Sequence, residues 1–170
     1  MTESPFRNRT REFRMLSIKV SLVQLKLAIV GPQHWRTPEI ENTLAQAREE
    51  CDIVETGYVS DNKLQTLVKN SEGVLMARYY EGFGIPILEA MINRTPVMIG
   101  NIGATPETAG GFGTEVSPFS VNEKSEGLKQ LLETPKEQIE SAFNYASKFN
   151  WQNNAMETQK FYEETFNKAR

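Results

Sequence analysis

The sequence predicts an α/β domain, a Rossmann-like parallel sheet flanked by helices. Three observations predict it. Short apolar runs of strand length alternate with longer segments whose apolar residues recur at helical spacing. Boundaries between them carry turn or cap chemistry, glycine after a strand and Ser, Thr, Asp or Pro before a helix. The strand-then-helix order repeats along the chain, which places strands parallel and joins them by helical crossovers.

The elements follow in order. Residues 1–24 form a segment of undetermined structure, rich in arginine at Arg7, Arg9, Arg11 and Arg14. Within it Leu16, Ile18, Val20 and Leu22 alternate as in a strand, while Ile18, Leu22, Leu25 and Ile29 also fit a helix face, and both readings stay open. Residues 25–170 form the domain proper. Leu25 to Val30, closed by Gly31, reads as a strand. Thr37-Pro38-Glu39 opens a helix with a cap, a first-turn proline and an acid, and Ile40, Leu44 and Ala47 give its buried stripe. Asp52 to Thr56 is the next strand, Gly57-Tyr58-Val59 the turn, and Ser60 or Asp61 caps a helix carrying Leu64, Leu67 and Val68. Gly73 to Ala77 is a short buried strand. Pro96 to Ile99 is another, and Thr105-Pro106-Glu107 reads as a cap and first turn. A last short strand is expected over Gly113 to Val116, then helices over Val121 to Leu132, Pro135 to Phe149 and Gln152 to Asn167.

Composition excludes several classes of function. A chain of 170 residues suits one domain with one core. No run approaches the roughly 20 apolar residues of a membrane span, and the polar start carries no apolar signal core, so a cytoplasmic location is expected. Cys51 is the single cysteine, so no intrachain disulfide forms. His34 is the single histidine, which argues against a zinc site and against a Ser-His-Asp triad. The net charge of −3 gives no nucleic-acid footprint. For the arginine-rich start, the plain reading is a solvated chain end, and the sharper one a basic arm making peripheral contact with anionic lipid.

Ligands of an open parallel sheet bind outside the carboxyl ends of its strands. Gly31, Gly57 to Val59, Ala77 to Gly84 and Gly100 to Ala104 all follow strands and line one edge. The most informative stretch is Glu81-Gly82-Phe83-Gly84-Ile85-Pro86-Ile87-Leu88-Glu89-Ala90-Met91. It reads as a glycine turn opening a helix with Pro86 in its first turn. Backbone N–H groups at a helix start are a ready site for phosphate. Glu81 lies in the turn and Glu89 one helical turn beyond Pro86. The plain alternatives are a surface turn glutamate, an exposed helix glutamate and glycines that only serve φ > 0.

Glu81 and Glu89, separated by seven residues and framing Gly-Phe-Gly-Ile-Pro, resemble the acidic motif of family-4 retaining glycosyltransferases, glycosyl transferases group 1, with the GT-B fold. Thr95 to Ile99 resembles that family's next strand, Asn101 to Glu107 its following loop and short helix, and Phe149-Asn150-Trp151 its Phe-Ser-Trp before the last helix. The resemblance implies half of a GT-B fold, its C-terminal, donor-binding domain. It implies transfer of a sugar with retention from a nucleoside-diphosphate sugar to a saccharide or lipid-linked acceptor, with no metal or other cofactor. Glu81 would then contact the sugar and act as the catalytic carboxylate. The backbone of Gly82, Phe83, Gly84 and Ile85 would meet the diphosphate, Glu89 the ribose, and Tyr58 and Val59 the nucleobase.

Three departures from the family pattern stand out. Ala77-Arg78 replaces the usual Pro-Ser, which puts a cation beside the site. Leu25 to Gly31 matches the family's second strand. Its first strand, and the Arg and Lys that follow it, have no convincing counterpart upstream. Residues 16–22 are poorly placed to be a parallel neighbour, because only Val23 and Gln24 precede Leu25 and a crossover takes a dozen residues or more. The chain is also too short for both GT-B domains. The alternative function is therefore a non-catalytic or truncated nucleotide-sugar-binding subunit that works with a separate acceptor-domain protein or as a homo-oligomer. A dehydrogenase is disfavoured by the absence of Gly-x-Gly-x-x-Gly after the first strand.

Overall fold

A computed structural model describes residues 25–32 and 37–168. His34 and the features expected of residues 1–24, the alternating strand or helix face and the basic arm, lie outside the described residues. The elements are β1 (Lys26–Val30), α1 (Pro38–Glu50), β2 (Asp52–Gly57), α2 (Asp61–Lys69), β3 (Val74–Met76), α3 (Ile85–Ile92), β4 (Val97–Gly100), α4 (Thr105–Ala109), β5 (Thr114–Val116), α5 (Val121–Leu132), α6 (Lys136–Ala146) and α7 (Trp151–Lys168). All strand pairs are parallel, as the alternation of strands and helices predicts.

The strands form two sheets. β1 pairs with β2, and β3, β4 and β5 pair in that order. Among the described residues no strand bonds to the second edge of β1 or of β3. In the doubly wound order 3-2-1-4-5-6, those two edges flank the first strand, the one for which the sequence shows no counterpart. The smaller sheet starts in register at Lys26 and Asp52, whose side chains form an ion pair of 2.8 Å. The hydrogen bond and charge of Asp52 push the Lys26 ammonium above its usual lysine pKa. Arg48 reaches Glu55 and ties α1 to β2.

β4 is the spine of the larger sheet. All four of its residues are buried and both of its edges are paired. A strand covered on both faces reads as a continuous apolar run, and Val97-Met98-Ile99 is one. Side chains alternate between faces. Val97 and Ile99 join Ile87, Leu88, Ala90 and Met91 of α3 with Ala142 and Ala146 of α6. Met98 turns to the opposite face, with Val116 and Leu131. Thus α3 and α6 cover one face and α5 the other. α2 belongs to this larger body, because Val68 packs on its core and the Val68 carbonyl accepts from Thr95 Oγ1 at 2.8 Å.

Local chemistry explains most boundaries. Thr37 caps α1 with Pro38 in the first turn, and the hydroxyl of Thr37 and the Glu39 backbone hold the Glu39 carboxyl below its ordinary pKa. Ser60 stands at the N-cap of α2, and Ser120 Oγ accepts from the Glu123 amide to cap α5. Two expectations need correction. Ala104 stands at the N-cap of α4, while Thr105 is its first residue and donates to the carbonyls of Gly100 (2.6 Å) and Ile102 (2.9 Å). α6 stops at Ala146, three residues before Phe149, where the chain turns so that the Phe149 ring meets Tyr145 at 5.2 Å. No described helix is long and apolar enough to cross a membrane.

Candidate functional site

The site grows from the connection between β3 and α3. β3 is short and half-buried until Met76, where the chain leaves the sheet. Arg78 N donates back to the Met76 carbonyl at 2.8 Å, a tight turn that starts the loop. The loop ends at Gly84, the N-cap of α3, with φ 92° and ψ 44°. That left-handed conformation favours glycine, and a Cβ at this position would also lie 2.8 Å from Ile87 Cδ1. Pro86 follows in the first turn, where a missing N–H costs no hydrogen bond. Among the described residues, no backbone oxygen accepts from the N–H groups of Gly82, Phe83, Gly84 or Ile85. These are the donors an anion meets at a helix start.

Three contacts hold the loop in place. Thr108 of α4 donates its hydroxyl hydrogen to the Phe83 carbonyl, which ties the glycine turn to the neighbouring element. The Phe83 ring, half exposed, faces Phe149 at 6.4 Å, and Phe149 leads on to Tyr145 and Phe112. The third contact lies under the loop. Gly100 at the end of β4 lets the Arg78 carbonyl approach so closely that a Cβ there would stand 2.7 Å from it. Gly103 lies beside the Glu81 backbone more loosely: a Cβ there would meet the Glu81 carbonyl at 3.5 Å, an ordinary contact.

The two glutamates stand at either end of the loop and helix. The Glu81 side chain is 22% exposed, and its Oε2 accepts from Arg78 Nη1 at 3.0 Å. Glu89 lies on the exposed side of α3 between buried Leu88 and Ala90, and no described side chain pairs with it. The structure therefore brings Glu81, Gly82, Phe83, Gly84, Ile85 and Glu89 together on one strand–loop–helix unit. Tyr58 and Val59 follow β2 on the other sheet, and no described hydrogen bond joins them to that unit. Tyr58 is largely exposed. Among the described residues no group of three or more His, Cys, Asp or Glu side chains could hold a metal ion.

Several contacts that shape the site cannot be read from the sequence. Thr108 and Phe149 act across long sequence separations, and nothing local in a threonine or phenylalanine names its partner. The glycines at 100 and 103 were visible as post-strand residues. What Gly100 makes room for, the Arg78 carbonyl, was not.

Comparison with known proteins agrees with this geometry. The family model for glycosyl transferases group 1 matches residues 11–149. The MMP alpha-(1->4)-mannosyltransferase of Mycolicibacterium hassiacum is 35% identical over 120 residues, 66% of this chain and 29% of that protein. The O-antigen chain mannosyltransferase B of Escherichia coli is 30% identical over 139 residues, 80% of this chain and 36% of that protein. The chain thus spans about a third of the length of these relatives. Among solved structures, the sucrose-phosphate synthase of Thermosynechococcus elongatus superposes with a TM-score of 0.61 at 21% identity, over 84% of this chain and 38% of that one. WaaG, a glycosyltransferase involved in lipopolysaccharide biosynthesis, superposes with a TM-score of 0.60 at 23% identity, over 73% of this chain and 34% of that one. The chain belongs to the glycosyl transferases group 1 family, and its Rossmann-like fold is one half of the GT-B type.

Proposed function

We propose that this chain is the donor-binding domain of a retaining glycosyltransferase. It takes a nucleoside-diphosphate sugar, and the names of two relatives point to a mannosyl donor. The acceptor is a saccharide or a lipid-linked saccharide, and the setting is polysaccharide assembly in the cytoplasm, with peripheral membrane contact through the basic start of the chain. The observation that carries the proposal is the loop of bare N–H groups at the start of α3, flanked by Glu81 and Glu89.

Each part has a chemical task. The N–H groups of Gly82 to Ile85 donate to the diphosphate, aided by the positive end of α3. Glu89 accepts from the two vicinal hydroxyls of the ribose, a pairing that suits a carboxylate. Glu81 accepts from hydroxyls of the sugar and steadies the positive charge that develops as the glycosidic bond breaks. Tyr58 and Val59 border the nucleobase. The chain needs no metal or other cofactor for these tasks.

A second reading is a nucleotide-sugar-binding subunit that acts only with a separate acceptor domain. The exposed aromatic residues of α7, Trp151 at 84% and Tyr162 at 68%, favour it, since exposed apolar surface on a helix marks a docking face. Both readings predict a nucleotide site, and in both the isolated chain should show little or no transferase activity; detectable turnover by the pure monomer on any acceptor would overturn that.

The test is titration calorimetry of the chain with UDP, GDP and ADP, repeated on Glu89→Ala. Saturable binding to one nucleotide is expected. The substitution should weaken it by about 10- to 100-fold, the worth of hydrogen bonds to a charged group. Binding of none of the three, or unchanged affinity in Glu89→Ala, contradicts the proposal.

A further inference from the structure

We propose that Arg78 is a positioning residue for Glu81, one that presets the carboxylate for the transferred sugar. The inference rests on the donor-site reading above and goes beyond it. Arg78 replaces the small residue expected at this position, and its guanidinium meets Glu81 at 3.0 Å. The bond occupies Oε2 alone. The other carboxylate oxygen keeps its lone pairs for a hydroxyl donor.

Both partners of the pair are fixed from below. The Arg78 backbone is held by the Met76 carbonyl and seated on Gly100, and the Glu81 backbone lies against Gly103. The ion pair therefore joins two side chains whose roots rest on the same connection between β4 and α4. A glutamate samples several rotamers when free, and a guanidinium at a fixed place selects among them. Stability alone gives little reason for such a pair, because the Arg78 side chain is 61% exposed and exposed ion pairs contribute little.

Arg78 thus acts on the sugar through Glu81.

The test uses calorimetry of the full chain with GDP and GDP-mannose, and in parallel with UDP and UDP-glucose. The readout is the ratio of the affinities for the sugar nucleotide and the bare nucleotide. Arg78→Ala should lower that ratio by about 10-fold, the lower end of the scale of one charge-assisted hydrogen bond. It should leave the affinity for the bare nucleotide within about twofold and the melting temperature close to the wild-type value. Arg78→Lys should restore most of the ratio, because the charge remains while the fork geometry is lost. In a Glu81→Gln background, Arg78→Ala should cost nothing further, the signature of residues acting as one unit. Equal losses for bare and sugar-bearing nucleotides would place Arg78 on the diphosphate and overturn the proposal, as would an unchanged ratio. A wild-type chain that binds the bare nucleotides but gains nothing from the sugar overturns it too. A wild-type chain that binds neither overturns the donor-site reading itself.

Discussion

Gly84 is the residue on which the local geometry turns. Its φ of 92° starts α3, and a Cβ there would crowd Ile87, a fully buried core residue. Gly84→Ala should therefore cost about 1–3 kcal/mol, combining left-handed strain with a core clash. Urea unfolding checks this, and a midpoint within error of the wild type would contradict it. At this scale the sequence was informative. The Gly-Phe-Gly-Ile-Pro run is contiguous, so a left-handed turn, a first-turn proline and flanking acids can be read without tertiary knowledge. The ion pair of Arg78 with Glu81 could not be read in the same way, because a spacing of three residues in a loop fixes no direction for either side chain. The tether from Thr108 to Phe83 spans 25 residues and has no local signature at all.

Among the described helices, α4 is the shortest, and its threonines join the loops. Thr105 and Thr108 are both buried, and both hydroxyls serve loop carbonyls, Thr105 those of Gly100 and Ile102, Thr108 that of Phe83. The expected role of Thr105 as a helix cap was wrong for a physical reason. A threonine before proline matches a cap pattern, yet here the nearest carbonyls come from the end of β4, and the hydroxyl serves them instead. Thr105→Val keeps the shape and removes the donor. It should destabilise the fold by about 1–3 kcal/mol, the cost of leaving buried carbonyls without their partner. Chemical denaturation measures it, and a change below about 0.5 kcal/mol, the usual range of a surface substitution, would show that the bonds matter little. The start of α1 was legible from Thr37, whose hydroxyl accepts from the Ile40 amide, since capping chemistry is local, and of the two candidates for α2 it is Ser60 that takes the N-cap position.

At the scale of the whole molecule, the two sheets should differ in stability. β4 is paired on both edges and buried on both faces, while β1 pairs only with β2 among the described residues and alternates between exposed and half-buried positions. Amides of Met98 and Ile99 should exchange with solvent at least about tenfold more slowly than those of Ala28 and Ile29, because local opening needs fewer contacts broken in the smaller sheet. Hydrogen exchange read by mass spectrometry or NMR tests this, and equal protection would mean that the two sheets open as one. The fold class was legible because parallel α/β order is written in alternating segments. The division into two sheets was only half legible. The sequence shows no counterpart to a first strand, but strand pairing is set by neighbours in space.

The donor site depends above all on the glycine loop at the start of α3 receiving the phosphates of a nucleotide. Amide chemical shifts of the isotope-labelled chain, followed while the nucleoside diphosphate that binds in calorimetry is added, test it directly. The largest shifts should fall on Gly82, Phe83, Gly84 and Ile85 (donors without a described backbone acceptor), with smaller ones at Glu81 and Glu89. Saturating shifts confined to other parts of the chain, with the 82–85 amides unmoved, would contradict it.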